Sequence, residues 1–146
     1  MPPESRLYEI QLGVYATQED VQALADGCAR LLDSRPWPHR LSVAGQGQTT
    51  EPGGTPLAEF YDDLPEEWQY GHGGADPGTR EIHEIRVGVL ASRQQMDILR
   101  DELSRVACPD PDHASPCPTP WASGYTEAEG EYLEQRYGDL RESVNT

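Results

Sequence analysis

The chain contains an internal repeat: residues 7–24 align without a gap with residues 82–99, which lie 75 positions further on. The identical pairs at this spacing, two of them just beyond the aligned ranges, are Glu9/Glu84, Ile10/Ile85, Gly13/Gly88, Val14/Val89, Ala16/Ala91, Leu24/Leu99, Asp26/Asp101 and Arg30/Arg105. Self-similarity at a fixed spacing is typical of a duplicated structural unit. The fold therefore has to be one that two copies of a short unit can build.

Each copy of the repeat begins with an alternating pattern and continues with a helical one. The alternating apolar positions are Tyr8, Ile10, Leu12 and Val14 in the first copy and His83, Ile85, Val87 and Val89 in the second. This alternation predicts a strand with one buried face. The helically spaced positions that follow are Val21, Leu24, Ala25, Cys28, Leu31 and Leu32, and then Met96, Leu99, Leu103 and Val106. Thr17 and Ser92 stand at the change, where a hydroxyl can cap a helix, and Ser92 with Gln95 fits a capping box.

A second strand is predicted after each helix. It follows Pro36-Trp37 at residues 40–44 and Pro120-Trp121 at residues 121–125. A chain that reads strand, helix, strand twice is an α+β protein, and the simplest arrangement of two tandem βαβ repeats is a ferredoxin-like sandwich. In that fold the four strands form one antiparallel sheet, and both helices cover the same face.

We predict a single domain over residues 1–146, because a chain of this length can bury one core. Its parts are repeat one at 6–44, an acidic connector rich in Gly and Pro at 45–80, repeat two at 81–126 and a C-terminal helix at 127–142. A connector of this length in a compact domain is usually functional or disordered.

The sheet face opposite the two helices is the first candidate site. Its predicted outward residues are Glu9, Gln11, Gly13, Tyr15, Glu84, Arg86, Gly88 and Leu90. A glycine inside a strand often marks the close approach of another group, and here Gly13 and Gly88 are equivalent. One interpretation is an open floor for a partner, a ligand or the second chain of a homodimer. The other is that the connector or the C-terminal helix folds over this face and needs the space.

The charge of the chain restricts the partners that it can bind. The formal net charge is −15, and every basic residue is an Arg. Such a field disfavours nucleic acid and anionic membranes, whose phosphates would be repelled. It is explained either by solubility or by attraction to a basic protein partner. The connector residues that favour the second explanation are Asp62, Asp63, Glu66 and Glu67.

The proline-rich loop between the second helix and the last strand contains Cys108, His113 and Cys117. Thiolate and imidazole groups are zinc ligands, and Asp110, Asp112, His72 or His83 would have to complete a site of four. The alternatives are a disulfide and a stiff connector with two free thiols. The N-terminus has no apolar leader and no run is long enough to span a membrane, so we expect a cytoplasmic protein, in which thiols stay reduced.

The sequence contains no arrangement that identifies an active site. A phosphate-binding loop after a strand and a nucleophile elbow are both missing, and carboxylates are too abundant for one pair to stand out. We therefore predict a non-enzymatic acidic binding protein, of inhibitor, immunity or regulatory type, that binds a protein partner through the connector or the open sheet face. The alternative is a small enzyme or ligand-binding protein, monomeric or dimeric, with a pocket around Tyr15, Glu9, Glu84 and Arg86.

Overall fold

The computed structural model of the protein describes residues 5–50, 53–107, 120–127 and 131–144. In chain order its elements are β1 (Arg6–Ala16), α1 (Gln18–Asp33), β2 (His39–Ala44), α2 (Leu57–Phe60), α3 (Asp63–His72), β3 (Glu81–Ala91), α4 (Arg93–Ala107), β4 (Trp121–Glu127), α5 (Glu131–Tyr137) and a 3-10 helix (Gly138–Val144). The prediction of an α+β protein is confirmed.

The four strands form one sheet in the order β2-β3-β1-β4, with every neighbouring pair antiparallel. The first strand of each repeat is therefore central. Both strands have 11 residues, and their register places Gln11 opposite Arg86. On either side of this pair, Glu9 lies opposite Gly88 and Gly13 lies opposite Glu84. The two copies of the repeat thus meet in a symmetric register.

The main hydrophobic core lies between one face of this sheet and helices α1 and α4. It is built from the alternating strand residues and the helical positions that the sequence pattern predicts, with Trp37 and Trp121 packed against its edge. Both helix starts are capped as expected: Thr17 accepts a hydrogen bond from the backbone N–H of Asp20. Ser92 and Gln95 each accept a hydrogen bond from the other's backbone N–H, which completes the capping box.

Over the central strands β1 and β3 the opposite face of the sheet is covered, so the interpretation of an open floor is wrong there and the interpretation that the connector and the C-terminal helix fold over the face is confirmed. Helices α2 and α3 of the connector cover one end of the face, and α5 with the 3-10 helix covers the other. The first cover packs Leu57, Tyr61, Leu64 and Trp68 against Tyr15, Ala44 and Ile82. The second packs Leu133, Tyr137 and Leu140 against Leu7 and Leu90.

The C-terminal helix is shorter than the sequence pattern indicates. The α-helix ends at Tyr137 and continues as a 3-10 helix from Gly138. Glycine is a poor α-helix former, which accounts for the change at this position. Among the described residues, no helix has the length and hydropathy needed to cross a bilayer.

Candidate functional site

Two tyrosines lie directly over the two equivalent strand glycines. Tyr61, which follows α2, packs on Gly13, and Tyr137 at the end of α5 packs on Gly88. A Cβ atom added at either glycine would lie less than 3.0 Å from the ring, a distance that real Cβ atoms essentially never show. Each glycine is therefore the space that lets a covering ring reach the sheet.

Glu84 is the centre of a buried polar group beneath α2. Its side chain is 2% exposed and accepts hydrogen bonds from Tyr61 Oη and Arg86 Nε, both at 2.5 Å. Arg86 Nη2 also donates to the carbonyl of Thr49 in the connector. Burial is the largest single effect on Arg86 and opposes its charge, but the hydrogen bond to Glu84 and the negative charges of Glu84 and Glu9 together outweigh it and raise the pKa of the guanidinium.

Glu9 occupies the equivalent position in the other repeat and is bound from α5. It is fully buried and accepts hydrogen bonds from Tyr137 Oη at 2.5 Å and Tyr132 Oη at 2.6 Å. Gln11 Nε2 donates to the same carboxylate at 2.9 Å, and Arg136 Nε lies 3.6 Å from it. Each buried carboxylate thus has at least one hydroxyl donor and a nearby guanidinium, which is the condition for burying such a charge.

The tyrosines in these networks are held in the neutral form. Burial, followed by hydrogen bonding to Glu84, raises the pKa of Tyr61 above its ordinary value. Burial and hydrogen bonding to Glu9 raise the pKa values of Tyr132 and Tyr137 in the same way. A neutral hydroxyl that donates to a carboxylate stabilises the contact, so this chemistry joins the covers to the sheet.

A cavity of about 250 Å³ lies beside the Glu84 network, where the two covers leave β4 unroofed. Its wall includes Phe60 and Tyr61, and its floor includes Gln11, Glu84 and Gly124. A second, more open cavity of about 390 Å³ lies on the other face of β4, between that strand and α4. The residues that line it are Asp97, Arg100, Asp101, Ser104, Trp121 and Ser123.

The solvent side of α2 and α3 is a continuous acidic surface. It is formed by Glu59, Asp62, Asp63, Glu66 and Glu67, and we call it the acidic helical surface. Within the part of the chain that the structure describes, none of these carboxylates forms an ion pair. Several of the other surface carboxylates do, since arginines are paired with Glu102, Asp139, Asp97, Glu127, Asp101 and Glu134.

Of the five polar and aromatic residues that were predicted to face outward here, the structure brings four together and separates the fifth. Glu9, Gln11, Glu84 and Arg86 lie in the buried polar networks, whereas Tyr15 packs edge-on against Trp68 with ring centroids 6.4 Å apart. Glu9, Glu84 and Arg86 are buried under the covers and Gln11 is half-buried, so these residues do not form the open partner surface that the sequence suggested. The predicted connector residues Asp62, Asp63, Glu66 and Glu67 are all exposed.

The proposed zinc ligands Cys108, His113 and Cys117 lie outside the described residues. Among those that are described, no group of three or more His, Cys, Asp and Glu side chains is arranged to hold a metal ion. His83 is buried, and burial lowers the pKa of its imidazole. The thiol of Cys28 lies in the main core, where burial raises its pKa to about 11. Cys28 is therefore an unreactive core residue.

Sequence reasoning missed the residues that come from the covers, namely Phe60, Tyr61, Tyr132, Arg136 and Tyr137. The signal that could have found them was the pair Gly13 and Gly88. Two glycines at the same position of two central strands require something large above each of them. The sequence does not show which ring fills the space, because that depends on where the covers fold.

Comparison of the chain with protein-family models gives no match, and comparison with curated proteins gives no significant match. Function therefore has to be argued from the residues of the site alone.

Proposed function

We propose that the protein is a non-enzymatic binding protein that recognises a basic protein partner through the acidic helical surface. The observation that carries the proposal is that five exposed carboxylates lie together on α2 and α3 without an ion pair to any described residue. Unpaired carboxylates are available to a basic surface and accelerate its association by electrostatic steering. A net charge of −15 extends the same field over the whole molecule.

Two exposed aromatic side chains add apolar area to this acidic surface. Phe60 is 57% exposed at the end of α2, and Tyr70 is 89% exposed on α3. Aromatic residues are enriched in the buried centres of protein interfaces and supply much of the binding energy there. The combination of carboxylates and accessible rings fits a partner that presents arginine or lysine beside apolar side chains.

The buried networks support the same proposal by fixing the surface in place. Tyr61 joins α2 to Glu84, and Leu64 and Trp68 anchor α3 in the second core. Rigid positioning of a recognition surface lowers the entropy that is lost on binding. We therefore assign Tyr61, Glu84 and Arg86, which lie beneath this surface, a role in holding α2 in place and not a role in a reaction.

The test is reversal of four charges, with Asp62, Asp63, Glu66 and Glu67 all changed to Lys. The association rate with a basic partner, identified by crosslinking and then purified, should fall at least about tenfold at low salt. The wild-type rate should fall towards the variant's rate as salt approaches about 0.5 M, because exposed charges are then screened. Stopped-flow fluorescence measures both rates.

The matched control reverses the four acidic residues of α1, Glu19, Asp20, Asp26 and Asp33, on the opposite side of the sheet. This variant has the same net charge, so equal slowing by both variants would show general electrostatics without a specific surface. An unchanged association rate after charge reversal at Asp62, Asp63, Glu66 and Glu67 would exclude the acidic helical surface as the binding site.

A small ligand in the 250 Å³ cavity is the second candidate function. It is favoured by the convergence of Gln11, Glu84 and Tyr61 on one half-open cavity, since ligand sites are concave and have a few polar groups. Two results together would favour this candidate over the first. Native mass spectra would show a retained small molecule, and charge reversal at Asp62, Asp63, Glu66 and Glu67 would leave the association rate with the partner unchanged.

The proposal also includes the ferredoxin-like arrangement of the four strands and the two repeat helices. A ferredoxin-like sandwich made by two tandem repeats is supported by the equal lengths of β1 and β3 and by their central positions. A cytoplasmic location, a homodimer and zinc binding by Cys108, His113 and Cys117 stay predictions.

A further inference from the structure

A third strand glycine, Gly124 of β4, lies on the sheet face opposite α1 and α4. The register places it beside Gln11, on the same face as Gly13. A glycine inside a strand often marks the close approach of another group, and Gly13 and Gly88 each have a tyrosine ring above them. An added Cβ at Gly124 would instead meet Gln11 Oε1 at the ordinary contact distance of 3.6 Å. Among the described residues, therefore, no ring lies on this third glycine.

Each of the three glycines lies opposite a side chain that can accept a hydrogen bond. Gly13 is paired with Glu84, and the ring on Gly13 donates its hydroxyl to that carboxylate. Gly88 is paired with Glu9, and the ring on Gly88 donates to it in the same way. The third glycine is paired with Gln11. One arrangement of glycine and acceptor thus occurs three times, and two of the three are completed by a tyrosine of the chain.

Gln11 presents its side-chain oxygen at the third position. Its Nε2 donates to a carboxylate oxygen of Glu9 at 2.9 Å and to Oγ1 of Thr126 at 2.8 Å. An ionised carboxylate only accepts hydrogen bonds, so the contact with Glu9 fixes which end of the amide is the nitrogen. Oε1 then lies over Gly124, where none of the residues in the described ranges donates to it. A ring above Gly124 with an N–H or O–H group would supply that donor.

The half-open cavity over Gly124 has room for such a ring. Its volume is about 250 Å³, and an apolar cavity of about 150 Å³ is enough to hold benzene. Its wall includes the rings of Phe60 and Tyr61, which meet edge to face with their centroids 4.8 Å apart. Phe60 is 57% exposed, so its ring has surface left for a further aromatic contact.

The charges at the cavity favour a neutral ligand. Of the described residues that line it, the only charged one is Glu84. This carboxylate already accepts hydrogen bonds from Arg86 and Tyr61, and the guanidinium balances its charge. The acceptor that remains, Gln11, is uncharged. An anionic ligand would also be repelled by the net charge of −15.

We propose that this cavity binds a small, neutral aromatic molecule that carries a hydroxyl or N–H group, as phenols and indoles do. The ring lies on Gly124, and the hydroxyl or N–H group donates to Gln11 Oε1. This inference rests on the second candidate function, the ligand cavity, and adds the class of ligand and its position. It is independent of the acidic helical surface.

The experiment titrates two compounds into the isotopically labelled wild-type protein and follows its NMR spectrum. The first is 4-methylphenol, which is the side chain of tyrosine, and the second is 1,4-dimethylbenzene, in which a methyl group replaces the hydroxyl. We expect 4-methylphenol to shift the backbone amide of Gly124 and the side-chain amide of Gln11 in a saturable way. It should bind at least about threefold more tightly than 1,4-dimethylbenzene, because it alone donates a hydrogen bond. Burial alone would favour 1,4-dimethylbenzene, the more apolar of the two. Equal affinity or the reverse order would therefore overturn the proposal.

Gly124→Ala is the matched variant. Its Cβ makes an ordinary contact with Gln11 Oε1, so the fold should be kept. The same Cβ would clash with a ring lying as Tyr61 lies on Gly13, where the corresponding distance is 2.3 Å. Binding of 4-methylphenol should therefore weaken at least about tenfold.

Gly45→Ala is the control for this variant, because its added Cβ has nothing within 4 Å and the residue does not line the cavity. It should bind 4-methylphenol as the wild type does. Wild-type affinity in Gly124→Ala would overturn the proposal. If Gly124→Ala does not fold, the comparison of the two compounds on the wild-type protein decides the outcome.

The inference and the candidate function on which it rests can fail separately. Absence of saturable binding of 4-methylphenol would overturn the inference. A retained molecule of another class in native mass spectra would then leave the ligand cavity standing as a candidate function, whereas spectra without a retained molecule would remove that candidate as well. Binding by the wild type and not by Gly124→Ala would support the inference even where no molecule survives purification.

Discussion

Two residues without side chains decide how the second face of the sheet is covered. Gly13 and Gly88 accept the rings of Tyr61 and Tyr137, so the hydroxyl groups of these rings reach Glu84 and Glu9. Each tyrosine thus lies on the glycine of one repeat and bonds to the glutamate of the other. This crossed arrangement links the two copies, and it explains why both the Gly and the Glu occur twice.

The glycines can be tested singly. Gly13→Ala and Gly88→Ala each place a Cβ atom against a buried ring, and overpacking of this kind should lower the free energy of unfolding by about 1–3 kcal/mol. Urea denaturation measures the loss as a lower midpoint. Gly45→Ala is the control, because nothing lies within 4 Å of its added Cβ, and its change should stay within about 0.5 kcal/mol. Equal effects at all three positions would show that the rings do not depend on these glycines.

At the scale of elements, the two covers differ in how far their sequence pattern predicts them. The spacing of Leu57, Phe60, Tyr61 and Leu64 predicts one short helix within the connector, and the structure has two helices there, α2 and α3. The helical spacing after Glu127 predicts the C-terminal cover, although the α-helix ends early. Neither pattern shows which part of the sheet the helix covers, because an amphipathic helix buries its apolar face against any available surface.

Deletion of residues 131–146 tests what the C-terminal cover contributes. The deletion uncovers Leu7 and Leu90 and removes both tyrosine hydroxyls that donate to Glu9. Loss of three buried side chains should lower the free energy of unfolding by about 5 kcal/mol, which is close to the whole stability of a small domain. Thermal denaturation and binding of a hydrophobic dye measure the effect. Removal of residues 145–146 is the control, and a long deletion that melts like this control would show that α5 is dispensable.

At the scale of the whole molecule, stability should fall in alkaline solution. Burial and bonding to Glu84 or Glu9 raise the pKa values of Tyr61, Tyr132 and Tyr137 in the folded protein. The unfolded chain releases these protons near a pH of about 10. The folded state therefore binds more protons above that pH, and the stabilisation present below it is lost as pH rises.

Urea denaturation between about pH 8 and about pH 11 measures this loss as a falling free energy of unfolding. Tyr61→Phe should be less stable at neutral pH by about 1–3 kcal/mol, since Glu84 loses a donor, and its stability should decline less steeply with pH. Tyr70→Phe removes an exposed hydroxyl and should follow the wild-type profile. A wild-type profile that stays flat to the alkaline limit would contradict the assignment of these tyrosines as neutral donors.

The sequence by itself determined the strands and helices of both repeats, their caps and the residues that share each sheet face. Those features depend on local periodicity and on hydrogen bonds between residues three apart, such as Ser92 and Gln95. Only the tertiary structure decided what covers the second face, because Tyr61 and Glu84 are 23 positions apart and Tyr137 and Glu9 are 128 apart. Contacts at such separations are set by the packing of whole elements, and they turned a predicted open surface into a buried polar core.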